Sequence, residues 1–325
     1  MPKVIITLLS IVCGILFYFT LTSAVHVFQT DWQLPQKKKK DDDQIRLVLI
    51  TQELETPFWD KVAYGASTKA MEEGAILEVW GSYGSNEEEF LKNMEIAIYS
   101  QVDGVIVQGL ETEEFAELIK TKASSYGIPV ITIANDIPLE DSLRRTYVGS
   151  NQYYAGQLMA KELVSDMGGL GEVVLMTSSD RHYYQEQRLN GMKDVLKVYP
   201  DIQLIEFETV IKREEIRQTT KEVLNQYPGI QGWLAVDANL TGDMVREIES
   251  RSKIEPYFIY SFDDTPESLT LLKQGKLDGI LEQSPQDMGE ISVGLMMELL
   301  RNETAPLNWE GYLTDIQMVK VPDEK

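Results

Sequence analysis

The sequence predicts an α/β protein: two doubly wound parallel-sheet lobes joined by a hinge, preceded by an N-terminal transmembrane helix. Three observations carry this expectation. Beyond Gln44, short β-branched runs alternate with amphipathic stretches of helical period, which is the rhythm of βαβ units. The strand runs are mostly continuous in apolar residues, as in sheets covered on both faces. From Val4 to Phe28 the chain holds no charged residue, which is long enough to span when a bilayer takes about 20 residues to cross.

The apolar start, residues 1–30, has two readings, an uncleaved anchor or a secretion signal cleaved after the small residues Thr22-Ser-Ala24. A signal's apolar region runs to only about 7–15 residues, so length favours the anchor. Cys13 follows Val12 rather than a small residue, which argues against a lipoprotein signal. Residues 31–43 read as a charged, mobile linker holding Lys37–Lys40 and Asp41–Asp43. The lysines pull the segment after the span toward the cytoplasm. The ligand site argued below points the other way, to an extracytoplasmic domain.

Strands are expected at Ile45–Ile50, Ala75–Trp80, Gly104–Gln108 and Pro129–Ile133, then at Glu172–Met176, Ile202–Phe207, Gly232–Val236, Phe258–Phe262 and Leu277–Leu281. Helices fill the gaps: Phe58–Glu73, Glu87–Ser100, Glu113–Tyr126, Gln152–Met167, Tyr184–Val198, Glu214–Tyr227, Ala238–Ser250 and Gln286–Arg301. Ala155, Leu158, Met159, Leu163 and Met167 illustrate the period near 3.6. So many strands imply two sheets. Arg145-Thr-Tyr-Val-Gly-Ser-Asn151 lacks a helix before it and reads as a crossing between lobes, with Gly149 supplying free torsions for a hinge. The division expected is 44–149 plus 284–312 for one lobe and 150–283 plus 313–325 for the other.

Composition narrows the function. The chain has 325 residues, a net charge of −22, one cysteine and two histidines. At about 150 residues per domain, that length suits two domains or one two-lobed unit. So acidic a chain is not a nucleic-acid binder, since counterion release needs a basic surface. A lone cysteine gives no disulfide framework or thiolate metal site. His182 alone would have to serve any Ser-His-Asp triad. No cofactor is expected. Gly81-Ser-Tyr-Gly84 matches neither dinucleotide nor P-loop spacing. Gly168-Gly-Leu-Gly171 precedes its strand and reads as a helix cap and turn.

The most informative stretch lies near the C-terminus. Phe258-Ile-Tyr-Ser-Phe-Asp263 is an apolar run ending in a carboxylate, Pro266 opens a helical pattern that Gly275 closes, and a second run ends at Gln283. In open parallel sheets, ligands bind outside the carboxyl ends of strands. Asp263 and Gln283 would therefore face one crevice, and a carboxylate with an amide suits a polyhydroxylated ligand.

With Thr56-Pro-Phe-Trp59, Val102-Asp-Gly-Val-Ile-Val107, Gly127-Ile-Pro-Val-Ile-Thr132, Tyr147-Val-Gly-Ser-Asn151, Arg188-Leu-Asn-Gly191, Ser261-Phe-Asp263 and Leu281-Glu-Gln-Ser284 in this order, the chain resembles the type I periplasmic sugar-binding proteins of the ribose-binding group. The resemblance covers roughly 44–321. It implies a sugar held between two lobes, with rings on its faces and polar side chains on its hydroxyls. Carried over by position, it implies Phe58 and Trp59 as the aromatic wall, Arg188 as the sugar-binding arginine, and Asp237, Asp263 and Gln283 as hydroxyl partners. Gln52 and Thr56 stand where the family has other polar residues. After Thr132 the family's Asp is replaced by Ala134, so a polar group there must come from Asn135 or Asp136. Structural alternatives stand beside these roles: core packing for Phe58 and Trp59, a surface position for Arg188, and a helix N-cap for Asp263.

The resemblance implies binding without chemistry, read out by a membrane sensor histidine kinase or an ABC transporter permease. A lactose-repressor-type regulator would need a basic helix-turn-helix ahead of Gln44, where an apolar run stands instead. A sugar-active enzyme would rest on Asp237 and Asp263 as paired carboxylates, with no supporting motif.

Overall fold

The computed structural model describes residues 16–20, 44–84, 86–138, 142–251, 257–303 and 306–320. Residues 1–43 form one unit and 44–325 another. In the first, residues 16–20 are helical and exposed. The expected anchor otherwise lies outside the described residues, among which no helix is long and apolar enough to cross a membrane.

The second unit is built on two six-stranded sheets. In chain order, sheet 1 contains β1 (Arg46–Thr51), β2 (Ile76–Gly81), β3 (Gly104–Gln108), β4 (Val130–Ile133), β5 (Thr146–Gly149) and β11 (Tyr312–Leu313). Sheet 2 contains β6 (Gly171–Ser178), β7 (Ile202–Thr209), β8 (Ile230–Ala235), β9 (Phe258–Phe262), β10 (Gly279–Gln283) and β12 (Ile316–Val319). Spatial order is β11-β5-β4-β3-β1-β2 in one and β12-β10-β9-β8-β6-β7 in the other. Pairing is parallel except where β12 runs antiparallel to β10.

Helices cover both faces of each sheet, which is why the strands are apolar throughout. Sheet 1 packs Leu47, Leu49 and Ile131 against α1 (Pro57–Glu72) and α9 (Pro285–Arg301). Its other face packs Val48, Ile50 and Val105 against α2 (Glu87–Tyr99) and α3 (Glu113–Glu117). Sheet 2 is layered likewise. Val173, Leu175 and Phe262 meet α4 (Gln152–Met167) and α5 (Tyr183–Leu196). Val174, Met176 and Trp233 meet α6 (Arg213–Gln226), α7 (Ala238–Arg251) and α8 (Pro266–Lys273).

The helix pairs nearest the cleft are locked by glycines. A Cβ on Gly65 would lie 2.1 Å from the Gln286 carbonyl oxygen, and one on Gly289 would lie 2.1 Å from that of Val62. In the other lobe, Gly156 faces the Arg188 carbonyl oxygen at 2.0 Å and Gly191 that of Tyr153 at 2.0 Å. Each pair lets two helix backbones approach where any side chain would push them apart.

The chain passes between the sheets three times: from β5 into α4, from β10 into α9, and from β11 to β12. These crossings bond to one another, the Thr314 N–H to the Gly149 carbonyl at 2.9 Å and the Ser284 hydroxyl to the Asp315 carbonyl at 3.0 Å.

Local differences from the sequence expectations have physical causes. Thr146–Gly149 is a full strand rather than a bare crossing, and Gly149 is not among the residues of positive φ. It is required instead because the Tyr147 hydroxyl would stand 2.2 Å from any Cβ there. The helix expected over Glu113–Tyr126 widens at Leu118–Ala123 into a π-helical segment that brings Leu118, Ile119 and Ala123 into the core together. β11 and β12 are additions to the expected strands: they are short edge strands, separated by Thr314 and Asp315, and Gln317 interrupts the apolar pattern of β12.

Candidate ligand-binding site

The carboxyl ends of the two sheets face one cavity of about 130 Å³. Eight of the residues singled out in the sequence line it: Thr56, Phe58, Trp59, Asn135, Arg188, Asp237, Asp263 and Gln283. Gln52 and Asp136 do not. The Gln52 side chain is buried while its backbone N–H donates to the Gln108 Oε1 at 2.8 Å. Asp136 is turned to its own lobe, accepting from the Arg144 guanidinium at 2.6 Å and the Thr132 hydroxyl at 2.7 Å. Burial raises its carboxyl above the usual range, and Arg144 opposes that rise.

The first lobe contributes an aromatic wall. Thr56 caps α1, its hydroxyl accepting from the Trp59 N–H at 3.4 Å, and Pro57 occupies the first helical turn. This start sets Phe58 and Trp59 edge to face, ring centres 5.5 Å apart. Trp59 is 3% exposed and belongs to the core as well as to the cavity wall, so core packing does not remove it from the cavity. Asn135 arrives on a sharp bend, for Ala134 adopts φ 64°. Gly109 permits this bend, since a Cβ there would lie 2.4 Å from the Asn135 carbonyl oxygen.

The second lobe contributes a polar network. Arg188, 3% exposed, is no surface residue. Its Nε donates to Gln152 Oε1 at 2.7 Å and its guanidinium to the Val236 carbonyl at 3.3 Å. The guanidinium also lies 3.7 Å from the centre of the Phe262 ring. Gln152 Nε2 donates onward to Gln283 Oε1 at 3.2 Å, and Gln283 Nε2 donates to Asp263 Oδ1 at 2.6 Å. That chain orients the Gln283 amide against one Asp263 oxygen. Asp263 does not cap α8; Thr265 does, accepting from the Ser268 N–H at 3.0 Å. Asp263 instead takes a left-handed φ of 58°, which aspartate tolerates better than most residues. Burial raises its carboxyl above the usual range, against the pull of Arg188.

Asp237 accepts from Gln185 Nε2 at 2.8 Å, from the Tyr184 hydroxyl at 3.4 Å and from the Asn239 N–H at 2.9 Å. Burial, then Asp237, holds the Tyr184 phenol well above its ordinary value, so it remains a donor. His182 is not among the cavity residues; its ring stacks on Tyr184 at 5.9 Å.

Sequence reasoning missed Glu53, Gln108, Tyr184, Asn239 and Thr265, all of which line the cavity. Gln108 ends β3, so the strand-end rule that found Gln283 would have found it too. Tyr184 lies one helical turn before Arg188 on α5. Glu53 stands two residues beyond the end of β1, past the strand-end position itself.

Two α/β lobes facing one cavity, with rings on one side and a hydrogen-bonded polar set on the other, have the form of a ligand-binding protein. Residues 47–304 match the Periplasmic binding protein domain, and the chain belongs to that family. It is 21% identical over 277 residues to the ribose import binding protein RbsB of Salmonella typhimurium, covering 85% of this chain and 90% of that one. Among solved structures it is similar to GanP, a glucose-galactose binding protein from Geobacillus stearothermophilus. That match has 28% identity and a TM-score of 0.80, over 87% of this chain and 99% of that one. It is also similar to a chain of the XylFII–LytSN complex, at 25% identity and a TM-score of 0.74, covering 86% and 98%. RbsB and GanP are named for binding rather than for a reaction, and the chain is a binding protein, not an enzyme.

Proposed function

We propose that this protein binds a small sugar-like ligand outside the cytoplasm by lobe closure and passes that event to a membrane partner. The observation that carries the reading is the inter-lobe cavity itself, with Phe58 and Trp59 opposite Arg188, Asp237, Asp263 and Gln283. A pyranose has apolar C–H faces and a polar rim, so rings and charge-assisted hydrogen bonds suit its two kinds of surface. RbsB and GanP, named for ribose and for glucose and galactose, support a monosaccharide. The lobes of this reading are 44–149 with 284–312 and 150–283 with 313–325. Thr56 and Asn135 complete the ligand set, and Gln52 supports it through its backbone bond to Gln108.

The N-terminal run serves in this reading as an uncleaved single-pass anchor, with the binding domain on the extracytoplasmic side. An anchored receptor suits a sensor histidine kinase held beside it, with an ABC permease as the other candidate. A relative solved as a XylFII–LytSN complex supports a protein partner for this fold.

A thermal-shift screen of the purified protein against pentoses, hexoses, deoxy sugars and sugar phosphates tests the ligand. Binding to the folded state raises the melting temperature by mass action, and no stabilisation by any of them would sink the sugar reading. N-terminal sequencing of membrane and soluble fractions, with protease access on spheroplasts, tests the anchor. A soluble product starting near Val25 would make this a secreted receptor, and a full-length protein protected from protease would reverse the topology.

A further inference from the structure

Glu53 is the acid that lobe 1 presents to the cavity. It follows β1 at the carboxyl end of sheet 1 and lines the same 130 Å³ volume as Asp237 and Asp263 of lobe 2. The chain after β4 carries Ala134 and then Asn135, so the group it brings to the cavity is an uncharged amide. Its backbone is pinned: the Glu53 N–H donates to the Thr51 hydroxyl at 3.2 Å, and the Glu53 carbonyl accepts from the Thr56 N–H and hydroxyl, each at 3.1 Å. These bonds fix the Glu53 backbone just ahead of α1, and its side chain lines the cavity, hydrogen-bonded to Trp59.

Among the described residues, three carboxylates from two lobes thus share one small volume with a single cation, Arg188. That cation is already engaged by Gln152, the Val236 carbonyl and the Phe262 ring. It offsets Asp263 directly, whereas Glu53 feels burial first, then Asp237, with Asp263 and Glu55 adding the same sign; the Trp59 side chain opposes them by a hydrogen bond. At the rim the balance is reversed, where Lys61 of α1 pairs with Asp264 of the other lobe.

We propose that Glu53 is the lobe-1 carboxylate that reads a ligand hydroxyl, and that its repulsion with Asp237 and Asp263 makes closure depend on that ligand. The hydroxyl half rests on the sugar reading above; the repulsion half rests on charge and position alone. As the lobes approach, like charges move into a medium that screens them poorly. A polyol entering between them donates hydroxyl hydrogens to both sides and turns a repulsive meeting into hydrogen bonds. The rim pair of Lys61 and Asp264, formed in this structure, contributes an attraction that the carboxylates inside the cleft oppose. A ligand shifts such an equilibrium only by its differential affinity for the closed state, and Glu53 is a group that meets both ligand and opposite lobe there.

The test uses the full-length chain in detergent, with Cys13→Ser and spin labels at Glu88→Cys and Glu214→Cys, both exposed and near the cleft-side ends of α2 and α6. Without ligand, Glu53→Gln moves the label distances toward the short, closed population, whereas Glu53→Asp, which keeps the charge, does not. Distances in Glu53→Gln equal to the parent's overturn the repulsion. The second arm measures affinity for the best sugar of the screen and its monodeoxy derivatives. In the parent, deleting the hydroxyl that Glu53 reads weakens binding about tenfold, the loss of one charge-assisted bond. In Glu53→Gln that ratio falls toward one while the ratios at other positions persist. Unchanged ratios at every position overturn the hydroxyl contact. If no sugar binds the parent, the sugar reading and the hydroxyl contact fail together, and the label distances still decide the repulsion.

Discussion

Replacing Asp263 by asparagine separates binding from folding at the centre of the cleft. The geometry sets the expected size. One Asp263 oxygen is taken by Gln283 Nε2 at 2.6 Å, which leaves the other for one ligand hydroxyl. A hydrogen bond to a charged group contributes about 1.5–3 kcal/mol and a neutral one about 0.5–1.5. Losing the charge therefore weakens ligand binding about tenfold, at about 1.4 kcal/mol per decade. Folding responds differently. Asparagine accepts the left-handed φ of 58° as readily as aspartate, keeps an oxygen for Gln283, and removes a charge that burial penalises. The ligand-free variant is expected to be at least as stable as the parent at neutral pH. Asp263→Ala, by contrast, places an alanine in a left-handed conformation costing about 1–2 kcal/mol and leaves the Gln283 amide without its acceptor. Calorimetric titration and denaturant unfolding check both halves. Parent-like affinity in Asp263→Asn, or a stability loss much above about 1 kcal/mol, would refute this assignment.

Three further outcomes follow from the same contacts. Stability and ligand binding should respond to pH with opposite signs: burial raises the Glu53, Asp136 and Asp263 carboxyls, so the folded state holds their protons more tightly than the unfolded chain. The stabilisation this brings is complete below their unfolded values near 4 and fades as pH rises through the raised folded values. Binding that uses ionised Asp263 strengthens over that same rise. The melting-temperature advantage of Asp263→Asn over the parent should widen from about pH 4 to about pH 7, and a flat difference would contradict it. Gly156→Ala forces α4 and α5 apart at the Arg188 carbonyl, 2.0 Å from the new methyl; ligand affinity should fall about tenfold or more although the residue touches no ligand, as titration would read. Asp136→Asn leaves the buried Arg144 without its charge partner, and unfolding should show a loss of about 3 kcal/mol with ligand affinity unchanged.

The alternation of strands and helices was legible because both faces of each sheet are covered, which forces Leu47–Ile50 and Val173–Met176 to be apolar without interruption. Four-residue β5 and the edge strands β11 and β12 escaped because their order comes from neighbouring strands, not from their own pattern. At the site, Asp263 and Gln283 were readable as the polar groups at the ends of apolar strands. Phe58, Trp59, Arg188 and Asp237 came through the family resemblance. Glu53 and Tyr184 were not readable, since their roles depend on which groups the opposite lobe or the next helix places against them. Asp136 shows the converse. A carboxylate beside a strand end reads as a ligand group until the structure shows Arg144, eight residues on, folding back to claim it.

The two lobes solve one positioning problem in the same way. In each, a polar or aromatic group must stand at a strand's carboxyl end and face a partner contributed by a different stretch of chain. In each, a reciprocal pair of glycines brings the two cleft-side helices into backbone contact: Gly65 with Gly289, and Gly156 with Gly191. Such contacts have little give, so Trp59 on α1 and Arg188 on α5 are fixed to their own sheets rather than to each other. On the closure proposed above, the freedom left to the molecule would be concentrated in the three crossings seen among the described residues, and movement there would change the cavity without disturbing either core. A ligand that touched both walls would act on that one coordinate. Substitutions at the cavity wall should therefore register in affinity, and those at the helix contacts in affinity and stability together.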